Sequence, residues 1–514
     1  MAWVQFPLLT GYMADQPAWA VPPTRWTGVT NAFMRDGIAE RSVGDYDAAV
    51  TGTALTRYEF LAPCRSSAAA AEGLVYAGND VAGPRSRVVR YLVGAGHLYL
   101  TPGGWAATAT TAPNYYTGGP FSTGVLVNDV IHAPVWVDPN AGVATILGAA
   151  LRFNALRPYK YMAIGINDRT AAAAANTVSW SASTVPGAAP VTWAAAAGND
   201  AGNVDLTTLS NGALIDGGQL GEDFLIYSDG STHLMSYVGG ATVMTARRLA
   251  ASSGILSRNC WADIGIGHVV LTQDDVVLVD ASGVRRSLID GRLRRTMFNG
   301  LYNSDGRHLN SQVWFDKQRG RVMIALPSAL DIGMLTQAFV YEVASDSWGA
   351  RNLYDVNTSA TAGVRCATMA AVDYAAPGVP SNRLILGMVG ATLAASGVRF
   401  AESDTPNTGL QVDTLLQRDD LDFGDANARK LVRGVRIRGT SAVACTLQVS
   451  VGSKASIDEA YTYTAEVAYV LGTGQQVPLL AEGRWFSLKI RASAPRKAFR
   501  VQGFDLDVVP AGAW

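Results

Sequence analysis

The chain has 514 residues, 48% hydrophobic and 16% charged, with 41 basic against 42 acidic side chains for a formal net charge of −1. That length exceeds one ordinary core, so about two to four domains or one repeat architecture are expected. The near-zero charge excludes a protein that wraps nucleic acid by charge alone, and the low charged fraction points to a surface largely covered by partners.

In chain order, "MAWVQFPLLTGYMADQ" lacks the basic start and sustained apolar run of a signal peptide. No run of about 18 apolar residues follows anywhere, so no membrane span is expected. Residues 1–54 read as an N-terminal attachment segment, and within them "FMRDGIAERSVGD" is two short apolar pieces around Asp36-Gly37. Phe33 and Ile38 are expected to pack inward, with Arg35, Asp36, Glu40 and Arg41 held for a neighbour at a domain or subunit seam.

From residue 55 to 400 the pattern is short β-branched and aromatic runs between Gly, Asp, Ser and Pro turns, which predicts an all-β protein. "FLIYSDGSTHLMSYV" sets Asp229-Gly230 between two alternating runs, and "HVVLTQDDVVLVDASGVRRSL" repeats the design with turns at Gln273–Asp275 and Ser282-Gly283. Comparable runs start at Tyr91, Val135, Phe224, Val269 and Val322, in steps of 44 (91 to 135), 45 (224 to 269) and 53 (269 to 322). A four-stranded propeller blade takes roughly 40–50 residues, so a degenerate β-propeller is preferred over a string of sandwiches. Two stretches, near 101–124 and 167–202, read as insertions between blades, the second anchored by Trp180 and Trp193. "SLIDGRLRRTMFNG" (287–300) reads as a helix with Leu288, Leu293 and Met297 on one face. Residues 401–514, with "CTLQVSVGS" and "RWFSLKIRAS", read as a C-terminal β-sandwich-like domain.

Chemistry-bearing patterns are few. Cys64, Cys260, Cys366 and Cys445 form no CxxC and read as reduced buried thiols. Five histidines show no metal-ligand spacing, so neither metal nor cofactor is expected. The aspartates Asp229, Asp274, Asp275, Asp305 and Asp346 sit where turns want Asp for backbone hydrogen bonds. There is no G-x-S-x-G, and "DIGIGHVV" leads into a strand rather than a helix. The expectation is therefore that the chain is not an enzyme. Its densest positive feature is Arg285, Arg286, Arg292, Arg294 and Arg295, either the solvated side of a helix or a contact with DNA phosphates or a charged subunit interface.

Several segments together resemble the tail nozzle proteins of short-tailed, podovirus-type bacteriophages, also called tail tubular protein B or packaged-DNA stabilisation protein. They are Asn31 followed by Phe33-Met34-Arg35-Asp36-Gly37 and Ala39-Glu40, Val270 to Val276 followed by Arg285 to Arg295, and Val313-Trp314-Phe315-Asp316. Val340-Tyr341-Glu342 with Trp348 and Arg351, Asp419 to Asp425, and Gly503 to Val508 complete the set. Met34 departs from the family pattern by standing between Phe and Arg, and the stretches 101–124 and 167–202 depart as well.

The resemblance implies a structural protein of the virion tail. Six copies would form a homo-hexameric ring below the portal and the adaptor (head-to-tail connector) ring, with a tail-fibre or tail-tip protein as a further partner. Double-stranded DNA would pass through without sequence specificity, be retained while packaged, and be released into the host. The alternative is a tailspike-like or receptor-binding propeller that binds or degrades a host surface glycan.

Overall fold

The computed structural model describes residues 2–7, 11–42, 46–47, 55–68, 71–80, 86–102, 105, 116–170, 176–240, 242–249, 253–299, 301, 306–327, 334–353, 365–372, 383–389, 397–400, 413–492 and 498–512. Asp305 lies outside these residues, as do much of 101–124 and the end of the "FMRDGIAERSVGD" segment.

The described residues build seven antiparallel four-stranded blades. Blades 1 to 6 occupy residues 55–99, 117–146, 153–205, 214–248, 261–287 and 312–352. Blade 7 takes Arg365–Val372, Arg383–Val389 and Gly397–Phe400, and its outermost strand is Tyr46–Asp47 from near the N-terminus. Each innermost strand packs on the next, and that of blade 7 on that of blade 1, so the ring closes. Closure with a strand from the opposite end of the chain ties the first blade to the last, which removes free sheet edges at the joint.

The regular spacing in the sequence has a structural cause. Tyr91 and Val135 are on third strands, whereas Phe224, Val269 and Val322 are on second strands, so each step joined equivalent positions. The stretch 167–202 is not an insertion between blades. It holds the end of one strand of blade 3, a second strand (Thr177–Trp180) and the loop to a third, with Trp193 against Phe153 at 5.0 Å between ring centroids. Similarly, 101–124 ends in Thr117–Phe121, the innermost strand of blade 2. The 287–300 segment is helical only over Arg294–Phe298, because Arg285–Ser287 is the outermost strand of blade 5. Leu288, Leu293 and Met297 are buried together all the same.

The second body is a two-sheet sandwich. One sheet contains Thr414–Leu421, Trp485–Ala492 and Thr446–Lys454; the other contains Val477–Gly483, Arg429–Ser441 and Phe499–Gly512. Residues 1–54 do not stand apart as a segment of their own. Ala2–Pro7 pairs antiparallel with Phe499–Gly512, and Gly28–Thr30 pairs with Thr414–Leu421, so the N-terminus supplies strands to both sheets. Phe6 and Trp26 are buried in the sandwich core with Val432, Phe486, Leu488 and Phe504. Alternation of buried and exposed positions, as in Val477–Gly483, is what a sheet with one solvated face requires.

All four cysteines are free and buried. Desolvation pushes the Cys64 and Cys260 thiols up to about 12, which leaves them unreactive. Among the described residues, no helix is long and apolar enough to cross a membrane.

Candidate functional site

Two places gather charged and aromatic side chains: the joint between the bodies and the propeller axis. The joint is built on the hairpin Ala32–Arg35 and Ile38–Arg41. Its turn residues Asp36 and Gly37 have φ of +48° and +77°, the left-handed pair that a tight type I′ hairpin needs. One strand bridges blade 6 through Ala32 and Ala350, and the other pairs with the sandwich through Ala39 with Val501 and Glu40 with Arg500.

Charge is matched across this seam. Arg321 of blade 6 donates from Nε to Glu342 at 2.8 Å and from Nη2 to Glu40 at 3.2 Å, and its guanidinium lies 4.4 Å over the Phe33 ring. Arg500 of the sandwich reaches the other oxygen of Glu40 at 2.9 Å, and Arg35 lies 3.7 Å from Glu342. Buried Arg41 donates to Thr414 Oγ1 at 3.0 Å. Asn31, at φ +54°, accepts from the Asn352 N–H of blade 6 at 2.8 Å and donates to the Asp413 carbonyl at 2.7 Å. The expected inward pair is realised only in part: Phe33 is buried, but Ile38 is half-buried, and Met34 goes into the core instead.

The arginine cluster lies beside this joint. Arg285 and Arg294 approach Asp275 at 3.5 and 3.2 Å, Arg294 also approaches Asp290 at 3.6 Å, and Arg292 pairs with Asp346 of blade 6 at 2.8 Å. Arg295 donates its backbone N–H to the Asp15 carboxylate at 2.6 Å and its Nη2 to the Asp15 carbonyl at 2.9 Å. Arg286 donates to the Tyr341 hydroxyl at 3.5 Å, which in turn donates to Asp346 at 3.0 Å. Burial, reinforced by Asp346, pushes that hydroxyl up to about 12, so it keeps its proton as a donor. Five arginines thus stand among Asp15, Asp275, Asp290 and Asp346, and the cluster braces blade 5, blade 6 and the N-terminal segment. Its positive field is largely cancelled at close range.

The propeller axis carries a constellation that sequence reading missed. Arg157, on the innermost strand of blade 3, forks onto Asp216 of blade 4, with Nε to Oδ1 at 2.8 Å and Nη2 to Oδ2 at 2.5 Å. Asp216 also accepts from the N–H of Asn259, just before blade 5, at 2.8 Å and from Nε1 of Trp261, on its innermost strand, at 3.1 Å. Arg157 donates further to Asn259 Oδ1 at 2.7 Å and to the Gly118 carbonyl of blade 2 at 3.2 Å. Four consecutive blades are therefore tied at their inner edges. Trp261 is placed by Gly218, where a Cβ would come within 1.9 Å of the indole, so no larger residue fits beneath it. Behind it, His268 stacks at 4.5 Å between ring centroids. His268 Nε2 lies 2.9 Å from the Gln219 carbonyl, which can only accept, so Nε2 bears the proton and Nδ1 accepts from the Tyr227 hydroxyl at 2.8 Å. Burial pulls His268 down to about 4, consistent with that neutral ring.

Above this floor is a pocket of about 460 Å³ that draws lining residues from all seven blades, including Phe60, Phe121, Trp261, Trp314 and Met369. Its lining comes from the innermost strands and the residues that flank them, with exposed Lys160 and Asp263 and half-buried Gln219 at its rim. The sequence signals were buried charge within strand patterns and the doublets Gly118-Gly119 and Gly217-Gly218, neither of which names a partner.

No protein-family model matches the chain, and no curated protein matches it. Among solved structures, it is similar to Sqt1 of Saccharomyces cerevisiae, at 9% identity and a TM-score of 0.38, covering 74% of this chain and 100% of that one. It is also similar to an exo-β-1,3-galactanase of Phanerochaete chrysosporium, at 9% identity and a TM-score of 0.25, covering 90% of this chain and 99% of that one. A structure described as a glycoside hydrolase has 8% identity and a TM-score of 0.26, covering 91% and 99%. The presence of glycoside hydrolases among similar structures overturns the expectation that the chain is not an enzyme. Aspartates at turns are no ground for excluding catalysis. At these scores the likeness brings no substrate or reaction to this chain.

Proposed function

We propose that the chain is the subunit of a bacteriophage short-tail nozzle, six copies of which form a ring below the portal and adaptor that retains packaged DNA and opens for ejection. One observation carries this reading: two segments behind the family resemblance, 31–40 and 340–351, meet at the joint between blade 6 and the sandwich, and a third, 503–508, lies on the strand that pairs with the hairpin there. Asn31 and Glu40 contact blade 6 there, Ser347 donates to the Met34 carbonyl at 2.6 Å, and Arg35 lies 3.7 Å from Glu342. Asp505 and Asp507 pair with Arg438 and Arg433 at 2.7 and 2.9 Å on the same sandwich sheet. A joint bridged by ion pairs of Glu40 with Arg321 and Arg500 suits a subunit that must keep its two bodies aligned in a ring under load.

In this reading the DNA runs along the bore shared by the copies. The propeller axis is not that bore, because a pocket of about 460 Å³ is the size of a small-ligand site. Arg285, Arg286 and Arg295, the exposed members of the arginine cluster, are the side chains available to a neighbouring subunit or to phosphates. Negative-stain imaging of the purified chain, alone and with the adaptor of the same virion, tests the proposal. Six-fold rings are expected. A chain that stays monomeric under both conditions overturns it.

A further inference from the structure

We propose that the axial pocket of the propeller binds a neutral saccharide. Its walls are aromatic and aliphatic, with Trp261 and Trp314 each half-buried and presenting indole surface to the cavity. Its rim is polar, with exposed Lys160 and Asp263 and half-buried Gln219. A pyranose ring matches this division, since one face of C–H groups packs on an indole while the hydroxyl edge takes both donors and acceptors. The volume of about 460 Å³ falls within the range of roughly 300–1,000 Å³ typical of ligand pockets and suits the end of a short oligosaccharide.

The charge pattern selects among sugars. Arg157 is neutralised by Asp216 at 2.5 Å, Lys160 by Glu222 at 2.7 Å, and Glu59 by Arg57 at 2.7 Å. Asp263 then adds a negative charge at the rim, so the pocket holds no surplus cation for a phosphate, a sulfate or a uronic acid. The indoles are also fixed before any ligand arrives, because Trp261 Nε1 is bound to Asp216 and Trp314 Nε1 donates to Gln312 at 3.0 Å. Such preorganisation lowers the ordering cost of binding.

The inference does not rest on the nozzle reading and is tested on the isolated full chain. A glycan array carrying neutral and acidic glycans is probed first, followed by calorimetry with the best-retained neutral trisaccharide against the wild type and three variants. Retention on neutral glycans is expected, with a loss of about tenfold or more in affinity for Trp314→Ala. No change is expected for Trp19→Ala, an exposed indole outside the pocket. If Trp314→Ala does not fold, Asp263→Asn at its exposed rim position carries the test, with a several-fold loss expected. The proposal is overturned by no retention on any neutral glycan, by retention on acidic glycans alone, or by unchanged affinity in the folded pocket variants. Ring formation is read separately by imaging, so failure here leaves the nozzle reading standing.

Discussion

Glu40 of the N-terminal hairpin and Arg321 of blade 6 meet at 3.2 Å, although 281 positions separate them in the chain. The Arg321 side chain is 5% exposed, and its other partner, Glu342, is 4% exposed. Removing Arg321 therefore leaves the buried Glu342 carboxylate with only the half-exposed Arg35 at 3.7 Å, whereas removing Glu40 leaves Arg500, which is 62% exposed, to water. Arg321→Ala is expected to cost about 3–5 kcal/mol, the range for breaking one partner out of a buried pair. Glu40→Gln is expected to cost clearly less. Urea unfolding followed by tryptophan fluorescence and by circular dichroism checks both, and equal losses in the two variants would refute the asymmetry.

The axial ion pair makes a similar demand on a different part of the fold. Asp216→Ala leaves Arg157 buried without its carboxylate and frees the Trp261 indole, so a loss of roughly 3–5 kcal/mol is expected. Asp216→Asn keeps the shape and should lose less. Near-ultraviolet circular dichroism reads the displacement of Trp261 directly, and an unchanged aromatic spectrum in Asp216→Ala would argue against this placement.

Gly218 gives a steric test that involves no charge. A methyl group there would meet the Trp261 ring at 1.9 Å, so either the indole or the strand must move. Gly218→Ala is expected to destabilise by about 1–3 kcal/mol, the usual range for overpacking. Differential scanning calorimetry measures it, with Gly221→Ala as the comparison, since a methyl group at that turn glycine meets nothing within 4 Å and only its φ of +59° opposes it.

Two histidines set an acid limit on stability. Burial pulls His268 and His233 down to about 4, from an ordinary 6.5. Because the folded values lie below the unfolded one, the unfolded chain binds more protons between pH 6.5 and 4. Stability is therefore whole above about pH 6.5 and falls as the pH drops toward 4, by at most roughly 3 kcal/mol for each site. Urea midpoints at pH 7 and pH 4.5 for the wild type and His268→Gln check this. The variant should be weaker at pH 7, yet lose less on acidification than the wild type.

Much of the local structure was legible in the sequence. The hairpins at Asp36-Gly37, Asp229-Gly230 and Ser282-Gly283 were readable because alternating burial and turn chemistry depend on neighbours a few positions apart. The propeller class followed from equivalent strands recurring at blade length. Even the failed helix over 287–300 had a local cause: Leu288, Leu293 and Met297 are buried at a spacing that suits a helix, but the first residues pair as an outer strand.

By itself, then, the sequence determined the β class, the hairpins and the burial of its apolar runs. Only the tertiary structure decided that Tyr46–Asp47 closes the ring and that Ala2–Pro7 and Gly28–Thr30 complete the sandwich. It alone decided, too, that Arg157 finds Asp216 and Asn259 across 59 and 102 positions. The physical reason is one of range. Periodicity and turn preference are encoded between near neighbours, whereas the partner of a buried charge or an edge strand is chosen by which surfaces the closed fold brings together.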